Sequence, residues 1–222
     1  MKRTVPSLLS RLLARVRHTA APNRSRNSKL RFDTLEQRVV PANTILTVGT
    51  DAGAISRFRV VDPETNATLF TRSPFGSSRS GVRLAIDDIT GDGHADIVAA
   101  QGANGTNRLR VYDGVTRRPV PGMLGNFKPF TRTESNGLYI AAGDVNNDGR
   151  ADLIVGTDGA NPQVKIFSGA NGQVLRSLDL SNLNLTNGVR VAAGDVNGDG
   201  LADVIVGSAS GDVSTAVSYT HL

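Results

Sequence analysis

The stretch Ala141-Ala142-Gly143-Asp144-Val145-Asn146-Asn147-Asp148-Gly149-Arg150-Ala151-Asp152-Leu153-Ile154-Val155-Gly156 decides the fold. It returns 51 residues later as Ala192-Ala193-Gly194-Asp195-Val196-Asn197-Gly198-Asp199-Gly200-Leu201-Ala202-Asp203-Val204-Ile205-Val206-Gly207. A third version, Asp88-Ile89-Thr90-Gly91-Asp92-Gly93-His94-Ala95-Asp96-Ile97-Val98, lies 56 residues before the middle one. Self-similarity at a period of ~20 to 50 residues marks a repeat architecture, in which one supersecondary unit buries its faces only by stacking on copies of itself.

The remainder of the unit repeats too. Phe58-Arg59-Val60-Val61-Asp62, Leu109-Arg110-Val111-Tyr112-Asp113 and Val164-Lys165-Ile166-Phe167-Ser168 alternate apolar and polar residues, and Gly49, Ala100, Gly156 and Gly207 fall into the same register. A first copy is therefore exposed from about Thr44, beginning Ile45-Leu46-Thr47-Val48-Gly49-Thr50-Asp51. Its acidic loop would fall at Gln37 to Ile45, where the sequence carries none. The best copy predicts strands at Leu138 to Ala142, Ala151 to Gly156, Gln163 to Ser168 and Gln173 to Leu178, with Gly169-Ala170-Asn171-Gly172 as a turn. No segment after the first 42 residues keeps a helical apolar period. The expectation is an all-β chain of four-stranded blades forming part of a β-propeller, with a flat solenoid as the alternative. Roughly three and a half units are fewer than the ~4 to 8 blades of a closed ring. The chain is thus read as one piece of a longer ring whose remaining blades follow it, or as a unit that pairs with another chain.

Each acidic loop has the pattern D-x-[DNT]-x-D-G-x-x-D, which puts oxygen side chains at positions 1, 3, 5 and 9. A hard cation such as calcium takes six to eight oxygens, and a tight turn offers alternate side chains together with a backbone carbonyl. In the middle loop this assigns Asp144, Asn146, Asp148 and Asp152, with the carbonyl of Arg150 at position 7. Position 7 is His94, Arg150 and Leu201 in the three copies, so it contributes backbone, and His94 is not read as a catalytic or soft-metal histidine. An EF-hand would need a bidentate Glu at position 12 and flanking helices. Position 12 is Ala99, Val155 and Val206, inside strand-like runs. The metal-free reading is an Asp/Asn/Gly turn capping a hairpin. Three carboxylates within nine residues, three times over, weigh against it, because they repel one another unless a cation neutralises them.

With these loops at regular spacing, the sequence from about Thr44 to Gly211 resembles the FG-GAP and VCBS repeats, known from the calcium-bearing propeller of integrin alpha subunits. The resemblance implies up to three calcium sites. Their ligands fall on Asp88, Thr90, Asp92, Asp96 and the His94 carbonyl; on Asp144, Asn146, Asp148, Asp152 and the Arg150 carbonyl; and on Asp195, Asn197, Asp199, Asp203 and the Leu201 carbonyl. The first copy lacks the loop, Thr90 replaces Asn or Asp, and no Phe-Gly pair holds a fixed place in the unit.

Charge divides the chain of 222 residues. Residues 1–40 hold ten basic and two acidic side chains, leaving 15 basic and 18 acidic in the remainder, so a +5 total combines a +8 leader with a −3 repeat array. This argues against a basic nucleic-acid groove on the repeats. Residues 1–42 are read as a basic targeting leader. They contain no run of seven apolar residues, hence neither an ordinary secretory core nor a membrane span. Leu30-Arg31-Phe32-Asp33-Thr34-Leu35-Glu36-Gln37-Arg38-Val39-Val40-Pro41 resembles the L-E-x-R leader of planctomycete-type exported proteins, although an organelle transit peptide or a disordered tail has a similar composition. Residues 43–211 form the repeats. Residues 212–222 read either as a truncated strand, because Val217 and Tyr219 alternate, or as translated sequencing read-through.

With no Cys, and with His18, His94 and His221 as its histidines, the chain lacks the parts of a disulfide framework, a thiolate zinc site or a serine triad. It also has no P-loop and no G-x-G-x-x-G after a strand. The leading expectation is a non-catalytic, calcium-binding extracellular or cell-surface module for adhesion or for binding a protein or glycan. The alternatives are the scaffold of a larger exported carbohydrate-active enzyme, and tethering of nucleic acid or an anionic surface through the leader.

Overall fold

A computed structural model describes residues 45–131, 135–180, 183, 185–209 and 216–220. The leader, the ends of the 212–222 segment and part of the Asn182 to Asn187 loop lie outside them. Among the described residues thirteen strands form four antiparallel sheets. The first contains β1 (Leu46–Gly49), β2 (Phe58–Val61) and β3 (Thr68–Arg72), and the second β4 (Val82–Asp87), β5 (Asp96–Gln101) and β6 (Leu109–Tyr112). The third runs β7 (Leu138–Gly143), β8 (Asp152–Thr157), β9 (Gln163–Phe167) and β10 (Val174–Asp179); the fourth is β11 (Val189–Gly194), β12 (Asp203–Ser208) and β13 (Ala216–Tyr219). Each sheet is a meander in which sequence neighbours pair, with Ala141 opposite Ile154 in the third and Ala192 opposite Ile205 in the fourth. No α-helix occurs among the described residues, and no helix there is long and apolar enough to cross a membrane.

Among the described residues the expected four strands per unit are seen in the third sheet alone. In the second, the ladder beyond β6 is confined to the residues around Pro119, where Asp113 N–H donates to the Arg118 carbonyl and Val120 N–H to the Val111 carbonyl, and to Phe127, whose N–H and carbonyl both pair with Leu109. Between those two bridges the chain leaves β6 through Pro121-Gly122, Gly122 having a φ of 76°, and a 3-10 turn at Met123–Gly125 whose Leu124 joins the cluster of Leu109 and Val111. In the first sheet, β1 aligns with β5, β8 and β12, which are second strands. Its inner-strand position precedes Ile45 and is not among the described residues. Ala216–Tyr219 pairs with β12 as a third strand, Val204 opposite Tyr219.

The hairpin between the third and fourth strand positions is built alike in three copies. The Asp62 carboxylate accepts hydrogen bonds from the N–H groups of Glu64 and Thr65, and Asp113 from those of Val115 and Thr116. In the third copy the Ser168 hydroxyl accepts one from Ala170 N–H. Each turn ends on a residue of positive φ (Asn66 56°, Arg117 60°, Gly172 74°).

Sheets stack face to face through three apolar clusters. Phe58, Val60 and Phe75 of the first copy meet Val82, Ile97 and Tyr112 of the second. Val98, Leu109 and Val111 meet Leu138, Leu153 and Val155. Ile154, Val164 and Ile166 meet Val189, Val204 and Val206. The second strands β5 and β8 are covered on both faces and buried throughout, which is why Ile97-Val98-Ala99-Ala100 and Leu153-Ile154-Val155 are continuous apolar runs rather than alternations. The inner strands lie side by side, β4 against β7 and β7 against β11. All three acidic loops, each joining an inner strand to its second strand, therefore occupy the same end of neighbouring sheets.

Candidate metal centre

Position 1 of each loop organises the turn. The Asp88 carboxylate accepts from Gly91 N–H (2.7 Å) and Asp92 N–H (3.1 Å) through Oδ1 and from Gly93 N–H (2.7 Å) through Oδ2. Asp144 does the same for the N–H groups of Asn147, Asp148 and Gly149, and Asp195 for those of Gly198, Asp199 and Gly200. The glycine at position 6 has a left-handed backbone in every copy (Gly93 82°, Gly149 80°, Gly200 89°), a conformation costly for other residues.

Position 9 is buried. Asp96, Asp152 and Asp203 open their second strands and accept hydrogen bonds from the start of their own loop: Thr90 N–H to Asp96 (2.8 Å), Val145 N–H to Asp152 (3.1 Å) and Val196 N–H to Asp203 (2.9 Å). The other oxygen of Asp96 accepts from Gly114 N–H (2.9 Å), and that of Asp152 from Gly169 N–H (3.0 Å), each in the next hairpin turn. Sequence reasoning treated positions 1 and 9 as ligands only and missed this use in holding the turn. The pairing could have been sought in the glycine that follows β6 and β9 by two residues, Gly114 and Gly169.

Positions 3 and 5 are the outward oxygen donors. Asp92 Oδ1, Asp148 Oδ1 and Asp199 Oδ1 accept from the N–H two residues on, while the Asn146 and Asn197 amides face the position-5 carboxylates at 3.1 and 2.8 Å. The Thr90 hydroxyl is buried without a hydrogen-bond partner of normal geometry, although it lies near enough to Asp96 to help hold that carboxyl down. Position 7 is exposed at His94 and half-buried at Arg150 and Leu201. The Arg150 side chain turns onto the preceding loop, where a Cβ added to Gly91 would fall 2.9 Å from its Cγ.

The loops are also joined to one another. Ala151 N–H donates to the Asp88 carbonyl (2.8 Å) and Ala202 N–H to the Asp144 carbonyl (2.9 Å), so position 8 of each loop is tied to position 1 of the loop before it. This brings acids together across sheets. Burial raises the pKa of Asp87, with further upward contributions from Asp88 and Asp144. Burial likewise raises Asp96, with a contribution from Asp92, and lifts Asp152 to about 6, where Asp148 and Asp144 add to the rise. Asp88, Asp92, Asp144 and Asp148 form no ion pair among the described residues, where Arg83 to Asp158 is the salt bridge present.

These features match a family profile for FG-GAP-like repeats over residues 88–155 and 144–206. The chain belongs to the FG-GAP-like repeat family. Two solved structures are similar to this FG-GAP-like chain: rhamnogalacturonan lyase YesW (TM-score 0.51, 14% identity, covering 76% of this chain and 39% of that one) and the exotype rhamnogalacturonan lyase YesX (TM-score 0.52, 11% identity, 76% and 37%). At such identity the likeness is one of fold, and the fold is that of a β-propeller. The chain spans under two-fifths of either lyase.

The donor chemistry of the FG-GAP-like loops fits a hard cation. Their side-chain donors are oxygens, Thr90 Oγ1 is buried and unsatisfied, and a carboxylate oxygen that accepts one N–H keeps a lone pair for a metal. Among the described residues no three His, Cys, Asp or Glu side chains by themselves form a metal-holding group. Any cation at these loops would therefore also draw on the Thr or Asn oxygen at position 3 and the carbonyl at position 7.

Proposed function

We propose that this FG-GAP-like chain is a non-catalytic, calcium-stabilised propeller module of the cell exterior, presenting loops to a protein or glycan. The observation that carries the reading is the row of three acidic loops in one register at one end of adjoining sheets, with Asp96 of the first loop and Asp152 of the second raised by desolvation and by neighbouring acids. A cation held by Asp88, Thr90, Asp92 and Asp96, or by the matching sets Asp144, Asn146, Asp148, Asp152 and Asp195, Asn197, Asp199, Asp203, would neutralise that charge. Because the loops are hydrogen-bonded in series, fixing one also fixes its neighbour. Extracellular modules operate with sites of ~10⁻⁴ to 10⁻³ M, since calcium is abundant there. The expected outcome is a rise in thermal unfolding midpoint on adding millimolar calcium and a fall on chelation, followed by scanning calorimetry. An unchanged midpoint would count against the reading.

A second reading is favoured by the two structural neighbours, both rhamnogalacturonan lyases much longer than this chain. In it the propeller is the scaffold of a larger exported carbohydrate-active enzyme. Assaying the product of the full reading frame for lyase activity separates the two.

A further inference from the structure

The first acidic loop differs from the other two in charge as well as in its Thr90. Asp87 stands immediately before it, so this stretch holds four carboxylates (Asp87, Asp88, Asp92 and Asp96), whereas Gly143 and Gly194 at the same place leave the second and third loops with three. Asp87 faces Asp96 across β4 and β5, and its pKa is raised by burial and by Asp88 and Asp144.

A basic side chain lies against this crowded loop. Ala151 N–H donates to the Asp88 carbonyl (2.8 Å), which holds the backbone of Arg150 beside the loop. The half-buried Arg150 side chain then runs along Gly91, at position 4 between the donors Thr90 and Asp92. A Cβ placed on Gly91 would lie 2.9 Å from Arg150 Cγ, 3.2 Å from Nε and 3.3 Å from Cζ, so the guanidinium itself is over the turn. Together with Ile89 and Thr90 it lines a cleft between the second and third sheets. It forms no ion pair among the described residues, so its charge acts on the loop as a whole and is not spent on one carboxylate. One loop further on, Ala202 N–H is tied to the Asp144 carbonyl in the same way, but the residue that precedes it is Leu201. The second loop therefore has no cation at the corresponding place.

We propose that Arg150, a residue of the second loop, is the resident counter-cation of the first, and that it lowers the calcium affinity of that loop. A guanidinium and a divalent ion are drawn to the same carboxylates and repel each other, and the guanidinium is in place at every calcium concentration. Without the ion it offsets part of the mutual repulsion of Asp87, Asp88 and Asp92. The proposal rests on the calcium reading above and adds to it a residue that acts on a loop other than its own.

Each loop carries a reporter of its own, because the position-6 N–H donates to the position-1 carboxylate: Gly93 to Asp88 (2.7 Å), Gly149 to Asp144 (2.9 Å) and Gly200 to Asp195 (2.9 Å). A calcium titration of the full isotope-labelled chain in low-salt buffer, followed by NMR at these three amides, gives a midpoint for each loop. Arg150→Leu, which installs the residue the third loop carries at position 7, should lower the Gly93 midpoint by about three- to tenfold, the scale of one unit charge acting on a divalent ion across a solvated loop, and leave that of Gly200 unchanged. Arg150→Lys keeps the charge and should leave the Gly93 midpoint close to the parent's. A Gly93 amide that responds to calcium no differently in Arg150→Leu and the parent, or a midpoint that Arg150→Lys lowers as far as Arg150→Leu does, overturns the proposal and leaves the calcium reading standing. Calcium that shifts none of the three amides overturns both.

Discussion

Asp152 is asked to do two things that pull in opposite directions. Its oxygens satisfy the buried N–H groups of Val145 and Gly169, yet burial raises its pKa from 3.8 to about 6. A folded value above the unfolded one means that the native state holds the proton more tightly, so this contribution to stability is full below pH 3.8 and is lost as pH rises through about 6. In chelator, the denaturant midpoint should therefore fall between pH 4 and pH 7, and calcium should flatten the slope. Asp152→Asn should remove Asp152's share of the slope. Near neutral pH its cost in chelator is small, because relief of the buried charge, roughly 3 kcal/mol for such a shift, offsets the ~1 to 3 kcal/mol lost by setting an amide N–H₂ against a backbone N–H. A slope as steep in Asp152→Asn as in the parent would show that other groups produce it. Asp148 is exposed and tests the cation alone. Asp148→Asn should change stability in chelator by no more than ~0.5 kcal/mol while reducing the increment that calcium adds. A calcium increment equal to the parent's would remove Asp148 from the ligand set.

At the level of strands and sheets, close approach makes glycine necessary where inner strands cross the preceding sheet. A Cβ on Gly156 would stand 2.3 Å from the Val189 carbonyl oxygen, a backbone atom that cannot turn aside. Gly156→Ala should separate the third and fourth sheets locally and cost ~1 to 3 kcal/mol in chemical denaturation. A loss no larger than that of an exposed surface change would contradict this packing. The sequence made the strand positions readable: the best copy places its strands within a residue of β7 to β10, because alternation and turn glycines act locally. It did not reveal the missing fourth ladder of the second sheet. Pro119, Pro121 and Gly122 were in view, but where the chain leaves β6 depends on its path between the Tyr112 and Leu109 bridges, which no local alternation encodes. The double role of positions 1 and 9 was also hidden, since a pattern of oxygen side chains looks the same whether the oxygens face a cation or backbone N–H groups.

For the whole molecule, the period of about 50 residues made the stacked arrangement legible, because each sheet's faces remain apolar until a neighbour covers them. What the period did not disclose is how far each sheet is covered among the described residues: Leu153 and Val145 are buried, whereas their counterparts Leu46 and Val196 are exposed. The +5 total describes no single surface, since it joins a basic stretch at residues 1–40 to repeats with a −3 balance, in which the three acidic loops lie at one end of neighbouring sheets. The central claim is that this end holds calcium, and equilibrium dialysis against the ion measures it most directly. The account predicts saturable uptake approaching three ions per chain, one for each acidic loop, with affinities of ~10⁻⁴ to 10⁻³ M, reduced in Asp92→Asn, Asp148→Asn and Asp199→Asn. No saturable uptake, or uptake that these three substitutions together leave unchanged, would contradict it.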